Sequence, residues 1–245
     1  MSIAFGVARL LRYVVASAAK FSEVAVMSVT ENEFTFKAMD PSKTALLILV
    51  VPREATLDYK VEGAEQMAVN LEDLSKVFRS AERDDTITLS WTQSSLSISF
   101  ERKGFTRGFT LPLSSAVEEI PEIEVEYPNA YVLSPPMFFD ALTGIEDVGD
   151  TIRLEGDENE LRLRAESELG EAEAILSVER GGIESADVKE PGFSVGYSTE
   201  FISNVKPMIR VAERLTAKVG SDLPLYLGMS SHGLLIEYYV APRAE

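Results

Sequence analysis

Apolar residues recur along this chain at two spacings, and the switches between them mark out the elements. A short apolar run opens the chain. Positions 7–21 then carry a helical pattern, in which Val7, Leu11, Val14, Ala18 and Phe21 share one face at about 100° per residue. Arg9, Arg12 and Lys20 fall on the opposite face. Strand patterns follow at 24–29, 34–38 and 44–51, the last closed by Pro52, with a shorter one at 67–69. A second helix is expected over 71–83, with Leu71, Leu74, Val77, Phe78 and Ala81 inward and Lys76, Arg79 and Arg83 across from them. Three strands then follow at 86–91, 96–100 and 105–111.

The second half gives the same order. A strand at 130–134 leads into a helix that starts at Pro135-Pro136, suited to a first turn, and runs through Ile145. Strands follow at 151–154, 161–165 and 172–178, then a turn at Gly181-Gly182 and a loop. A strand at 193–197 precedes a fourth helix over 199–212, where Phe201, Ile202, Val205, Ile209 and Ala212 face inward and Lys206 and Arg210 outward. Pro207 removes a backbone donor, so this helix is expected to be short or kinked. Strands at 214–219, 223–229 and 234–240 close the chain.

The two halves are also related in sequence. Glu31-Asn-Glu-Phe-Thr-Phe-Lys-Ala38 returns as Glu158-Asn-Glu-Leu-Arg-Leu-Arg-Ala165, and the offset of 127 residues holds to Ile48-Leu49 and Ile175-Leu176. A duplication of this kind fixes the architecture before any single element does. Between the halves, the 45 residues of 108–152 hold nine acids and no lysine or arginine. Pro121 and Pro128 forbid a continuous helix there and favour an extended connector. The reading is an α+β fold of two similar domains, 1–112 and 130–245, joined by a connecting loop at 113–129. Each domain runs strand–helix–three strands twice, a βαβββ unit repeated, with helices on one face and antiparallel sheets on the other.

Composition narrows the function. No run approaches the ~18 apolar residues of a membrane span, and the N-terminus has no signal-peptide pattern, so an intracellular protein is expected. Zero cysteines exclude a disulfide framework and a thiolate metal site, and one histidine, His232, excludes a multi-histidine site. No phosphate loop, nucleophile elbow or zinc-protease motif is present, so no catalytic residue, metal or cofactor is assigned. The acidic run Gly156-Asp-Glu-Asn-Glu160 fits no calcium loop and reads as a strand-connecting turn, and His232 as a hairpin-turn residue.

A net charge of −17 argues against nucleic acid on average, but the cations are not spread evenly. Three of the four helices place Arg9, Arg12, Lys20, Lys76, Arg79, Arg83, Lys206 and Arg210 opposite their apolar stripes. One such helix is an ordinary solvated surface. Three in so acidic a chain suggest a patch that meets phosphates without reading bases. The third helix departs, with Phe139, Asp140 and Thr143 outward and no cation.

Phe36-Lys-Ala-Met-Asp-Pro-Ser-Lys-Thr-Ala-Leu-Leu47, Lys76 within Leu74-Ser-Lys-Val-Phe78, Pro224-Leu225 and Tyr238-Tyr-Val-Ala-Pro-Arg243 resemble the DNA sliding clamps of archaea and eukaryotes, the proliferating cell nuclear antigen family. The resemblance covers the whole chain. It implies a chromosome-associated ring of three subunits, copies of itself or paralogues, with helices lining a hole threaded by double-stranded DNA and sheets outside. It implies tethering rather than catalysis, with DNA polymerase, flap endonuclease and DNA ligase as partners, a clamp loader to open the ring, and no membrane. By position, the partner groove would be made by Met39, Thr44, Leu46, Ile120, Pro224, Tyr239, Ala241 and Pro242. The chain departs from the family at Pro41, at Lys43 and in connector spacing around Val125-Glu126.

By the same resemblance, subunits would join edge to edge. The candidate edges alternate as edge strands do: Phe105, Arg107, Phe109 and Leu111 on one, and Ala172, Ala174, Leu176 and Val178, with Ile175 between them, on the other. Two other classes compete. A small-molecule enzyme on a duplicated scaffold would need a base and a nucleophile in one pocket, which the sequence does not offer. An acidic scaffold that does not bind DNA would have no use for the helix cations.

Overall fold

The computed structural model describes residues 1–114, 120–168 and 170–243. It divides into two compact units: Met1–Pro41, Leu47–Pro121 and His232–Ile236 form one, and Ser42–Leu46, Glu122–Ser231 and Glu237–Glu245 the other.

In chain order the first unit begins with β1 (Ser2–Phe5), α1 (Ala8–Ala18), β2 (Val24–Val29), β3 (Glu33–Met39) and β4 (Ala45–Pro52), whose first two residues count with the second unit. It continues with β5 (Asp58–Lys60), β6 (Glu65–Asn70), α2 (Leu71–Phe78), β7 (Thr86–Trp91), β8 (Ser95–Arg102) and β9 (Phe105–Ser114). Its strands run antiparallel in the order β5-β1-β7-β8-β9-β6-β2-β3. The second unit holds β10 (Asn129–Leu133), α3 (Pro135–Ile145), β11 (Thr151–Gly156), β12 (Glu160–Ser167), β13 (Gly170–Ser177) and β14 (Ile183–Val188). After these come β15 (Phe193–Ser198), α4 (Thr199–Ser203), α5 (Lys206–Ile209), β16 (Arg214–Val219), β17 (Leu225–Ser231) and β18 (Leu234–Val240), whose first three residues count with the first unit. Here one run is β14-β10-β16-β17, and a separate sheet is β13-β12-β11-β15.

The duplication survives in the elements. Helix α3 starts and stops 127 residues after α1, as β11 does after β2. Both halves carry a strand that the apolar pattern does not announce. The loop expected after Gly181-Gly182 is instead β14, paired with β10, and β5 pairs with β1 in the same way. The reason is composition. β14 is largely exposed and polar, and β5 has three residues with only Tyr59 buried, so neither alternates strongly enough to be read.

Helix α2 is shorter than 71–83. It begins where Asn70 caps it, its side-chain oxygen accepting from the Asp73 N–H at 3.0 Å. Beyond Phe78 the ladder breaks at its donors: the Ser80 and Ala81 N–H groups reach only three residues back, to Val77 O at 3.2 Å and Phe78 O at 3.0 Å. Arg107 donates to Ser80 O at 2.7 Å and Arg12 to Ala81 O at 3.2 Å, while the Asp85 carboxylate accepts from the Glu82 N–H at 2.8 Å. Arg79 and Arg83 therefore stand beyond the helix. Helix α1 is likewise trimmed, and its buried stripe is wider than expected, adding Leu10 and Val15. The fourth helix is broken, as Pro207 requires: α4 and α5 are separated at Asn204-Val205, and Pro207 sits in the first turn of α5.

Candidate functional site

In the first unit, α1 and α2 pack against each other. Arg9, Arg12, Lys20, Lys76, Arg79 and Arg83 are all exposed there. Their freedom differs. The side chains of Lys20, Arg79 and Arg83 have no hydrogen-bond or ion-pair partner among the described residues. Arg9 stacks on Tyr13, 5.5 Å from the ring centre, and donates to its hydroxyl at 3.1 Å. Arg12 is held by the Ala81 carbonyl at 3.2 Å. Lys76 lies 2.7 Å from Glu72 and 3.7 Å from Asp73. The hydrogen bond to Glu72 and then the Glu72 charge raise the ammonium pKa, and the same bond and then the Lys76 charge depress that of Glu72.

The second unit is different. Lys206 is half-buried and ion-paired with Glu146. Its ammonium also lies 5.3 Å from the centre of the Phe139 ring. The exposed Arg210 guanidinium lies over the same ring at 5.9 Å.

Of the proposed groove residues, Met39 and Ile120 belong to the first unit and are half-buried. The other six belong to the second. There Ala241 N–H donates to Thr44 O at 2.7 Å, Pro242 bridges Tyr197, and Arg243 donates to Asp150 O and Thr151 Oγ1, both at 2.7 Å. The segment around Ala241-Pro242 is thus pinned rather than free. Leu46 is 3% exposed, a core residue more than a surface one. Pro224 and Tyr239 are half-buried.

Sequence reasoning missed the company Tyr239 keeps. Its ring meets Tyr226 edge-on at 5.2 Å, and Tyr226 meets Tyr127 at 6.3 Å. The Glu237 carboxylate accepts from the Tyr226 hydroxyl at 3.2 Å and from the Tyr239 hydroxyl at 3.5 Å. Burial, and then the Glu237 charge, push the Tyr239 hydroxyl up to about 12 and raise that of Tyr226 as well. The Tyr127 hydroxyl is buried without a hydrogen-bond partner among the described residues. The signal was available. A two-residue turn at His232-Gly233, both with positive φ (54° and 80°), sets Tyr226 opposite Tyr239 in the hairpin. His232 is a turn residue, exposed at that tip.

The connector alternates in its described part: Ile123, Val125 and Tyr127 are half-buried, while Glu122, Glu124 and Glu126 are exposed. Glu118 and Glu119 lie outside the described residues. The acidic run 156–160 is a turn between β11 and β12, closed by the Asp157 carboxylate accepting from the N–H groups of Asn159 (2.7 Å) and Glu160 (3.0 Å).

Both candidate assembly edges lie at sheet margins. Over 105–112, β9 has β8 on one side and no strand on the other among the described residues, and β13 is the outermost strand of its sheet. Phe105 is 55% exposed, Phe109 37% and Ile175 39%. Leu111 is half-buried, as are Ala172 and Ala174, while Leu176 is fully buried. Val178, expected in the strand, stands just past its end and is exposed. Arg107 is not a free edge cation. It donates to Asp85 and to Ser80 O, and its guanidinium lies 5.5 Å from the Phe100 ring centre and 5.6 Å from that of Phe105.

The N-terminal domain of proliferating cell nuclear antigen, as a family profile, matches residues 1–108. The DNA polymerase sliding clamp of Pyrococcus horikoshii is 30% identical over 251 residues, covering 99% of this chain and 98% of its own length. DNA polymerase sliding clamp 2 of Sulfolobus acidocaldarius is 28% identical over 237 residues, with 95% of each chain covered. Among solved structures, a chain of the PCNA2-PCNA3 complex from Sulfolobus tokodaii superposes with a TM-score of 0.90 at 26% identity, covering all of both chains.

Proposed function

The chain belongs to the proliferating cell nuclear antigen family, and on that premise we propose that it acts as a DNA sliding clamp. In this reading 1–112 and 130–245 are the two clamp domains and 113–129 is the loop that joins them. Three subunits close a ring around duplex DNA, and the ring keeps a polymerase on its template as a processivity factor. It performs no chemistry. Flap endonuclease and ligase share the same front groove, a clamp loader opens the ring, and the work is done on the chromosome.

The observation that carries this reading is the outward placement of six cations on and beside the helices of the first unit, in a chain of net charge −17. Phosphate contacts of this kind position without reading sequence. With a screening length of about 10 Å, a local cationic field survives the distant acids. The contacts are individually weak and mutually redundant, which a ring that slides requires. The test is stimulation of a DNA polymerase on primed circular DNA, compared with the same template linearised. A topological tether loses its effect when the ends are free. Equal stimulation on both templates, or none on either, overturns the proposal.

A second reading is favoured by the likeness to a PCNA2-PCNA3 complex. In it, this chain is one member of a ring of paralogues. Light scattering of the purified chain separates the two, since a self-closing ring is trimeric without any other polypeptide.

A further inference from the structure

The third helix, without a cation of its own, stands apart from the other helices. Helix α3 repeats α1 at an offset of 127 residues, which puts Phe139 where α1 has Arg12. Its outward positions Pro136, Met137, Phe139, Asp140 and Thr143 carry no positive charge. Yet two cations lie on it. The Lys206 ammonium is 5.3 Å and the Arg210 guanidinium 5.9 Å from the centre of the Phe139 ring, both arriving from α5 and its end.

We infer that Phe139 is a positioning residue for DNA: its ring, beside the anchored Lys206, holds Arg210 over the face of the cation-free helix and presents its guanidinium to the phosphates. This rests on the clamp reading above. The physical case is a contrast between two stacked arginines. Arg107 lies over Phe100 and Phe105, but its two terminal nitrogens donate to Ser80 O and to Asp85, so it serves the fold. Arg210 has the ring and, among the described residues, no acceptor for its guanidinium. A guanidinium resting on an aromatic ring keeps the donors along its edge for a phosphate, with fewer rotamers to give up when it binds. Lys206 is neutralised by Glu146 and anchors the cluster, leaving Arg210 as its net charge.

The test uses the full chain in its assembled form. Binding to a fluorescent linear duplex is measured by anisotropy at low salt for wild type, Phe139→Leu, Phe139→Trp, Arg210→Ala and the pair Phe139→Leu/Arg210→Ala. Leucine keeps apolar bulk and removes the π face. It is expected to weaken binding about threefold, with tryptophan restoring or exceeding wild type. The effect should vanish when Arg210 is already absent. Net charge is the same in wild type and both Phe139 variants, so a loss cannot come from a change in the number of cations. Light scattering and circular dichroism establish that ring and fold are intact; if leucine disrupts either, the tryptophan and Arg210 arms decide. Wild-type binding in Phe139→Leu, or the same loss with and without Arg210, overturns the inference and leaves the clamp reading standing. A wild-type chain that neither binds duplex nor stimulates a polymerase overturns both.

Discussion

The guanidinium of Arg107 meets the carboxylate of Asp85 at 2.5 Å, and the Asp85 side chain is 1% exposed. The pair ties β9 to the turn that follows α2, because Asp85 also accepts from Glu82 N–H and Arg107 also donates to Ser80 O. Removing the arginine leaves a buried carboxylate unpaired. Arg107→Met should therefore cost about 3 kcal/mol or more of stability. Replacing both partners, Arg107→Met with Asp85→Leu, should recover most of that loss. Urea unfolding of the single and double variants measures it, and a single variant within experimental scatter of wild type would show that the pair does not hold this turn.

The candidate DNA-facing cations should not contribute equally. Lys76 already shares its charge with Glu72 and Asp73, whereas Arg79 and Arg83 have no ion-pair partner among the described residues beyond the end of α2. Lys76→Ala is expected to be the mildest of the three single changes in retention on closed circular DNA. Together the three should cripple retention, and removing each phosphate-binding cation should reduce the slope of log affinity against log salt by about 0.9. A triple variant retained like wild type would remove these side chains from the DNA-facing set.

How much of this was legible in the sequence depends on where the information sits. The duplication, the main strands and the break at Pro207 are written in periodicity and in one residue's missing donor, and they are in the structure. The early end of α2 was not legible, because the Glu82 N–H goes to the Asp85 carboxylate, which Arg107 holds from 22 residues away. The pairing of Lys206 with Glu146 and the Phe139 cluster are long-range in the same sense, and no local pattern reports them. β14 escaped for another reason: an exposed polar edge strand has no apolar alternation to show.

For the groove, the exposures separate binding from folding. Leu46 is 3% exposed, so a charge there would test the core and unfold the chain rather than probe a partner. Tyr239 is half-buried, with its ring against Tyr226. Tyr239→Ala should weaken a partner peptide by at least tenfold, as loss of a central aromatic anchor does, while leaving the oligomer intact. The acids Glu122, Glu124 and Glu126 would add salt-sensitive attraction for basic flanks on that peptide. Equal peptide affinity in wild type and Tyr239→Ala, measured by calorimetry, would move the groove elsewhere.

Alkaline pH should act through the same tyrosines. Burial first, and then the Glu237 charge, hold the Tyr239 hydroxyl at about 12, and burial raises Tyr127, Tyr131, Tyr197 and Tyr226 too. The fold therefore favours the neutral phenol. That contribution is fully present below the unfolded value, near pH 10, and is lost as pH rises through the raised folded values. The expected result is an ultraviolet titration in which most tyrosines stay protonated past pH ~10 and then ionise together with unfolding. Tyrosinate absorbance that rises smoothly around pH ~10 in a folded chain would contradict it.

The two open edges match in the backbone groups they offer. In β9, Leu113 N–H donates to Ser94 O at 2.9 Å. The alternation of an antiparallel ladder then turns 105, 107, 109 and 111 toward β8 and leaves Thr106, Gly108 and Thr110 facing outward, before Pro112 ends the series. In β13, Val178 N–H donates to Asn159 O at 3.0 Å, which leaves Glu171, Glu173 and Ile175 facing outward. The next outward carbonyl, on Ser177, already accepts from Gly182 N–H at 2.9 Å. Three outward residues on one edge thus meet three on the other. Sequence charge agrees in sign: 102–114 holds Arg102, Lys103 and Arg107 with no acid, though Arg102 and Arg107 already pair with Glu82 and Asp85, and 166–179 holds five glutamates with no base. A head-to-tail contact between copies is favoured over like with like. Proline at either edge should remove an outward donor and spare the ladder within the chain. Ile175→Pro and Thr110→Pro are each expected to give a monomer with near-native circular dichroism. Each keeps one good edge, so their mixture should form a dimer and no larger ring. An Ile175→Pro chain of wild-type size would exclude this edge as the interface, and a mixture that stays monomeric would show that the two edges are not partners.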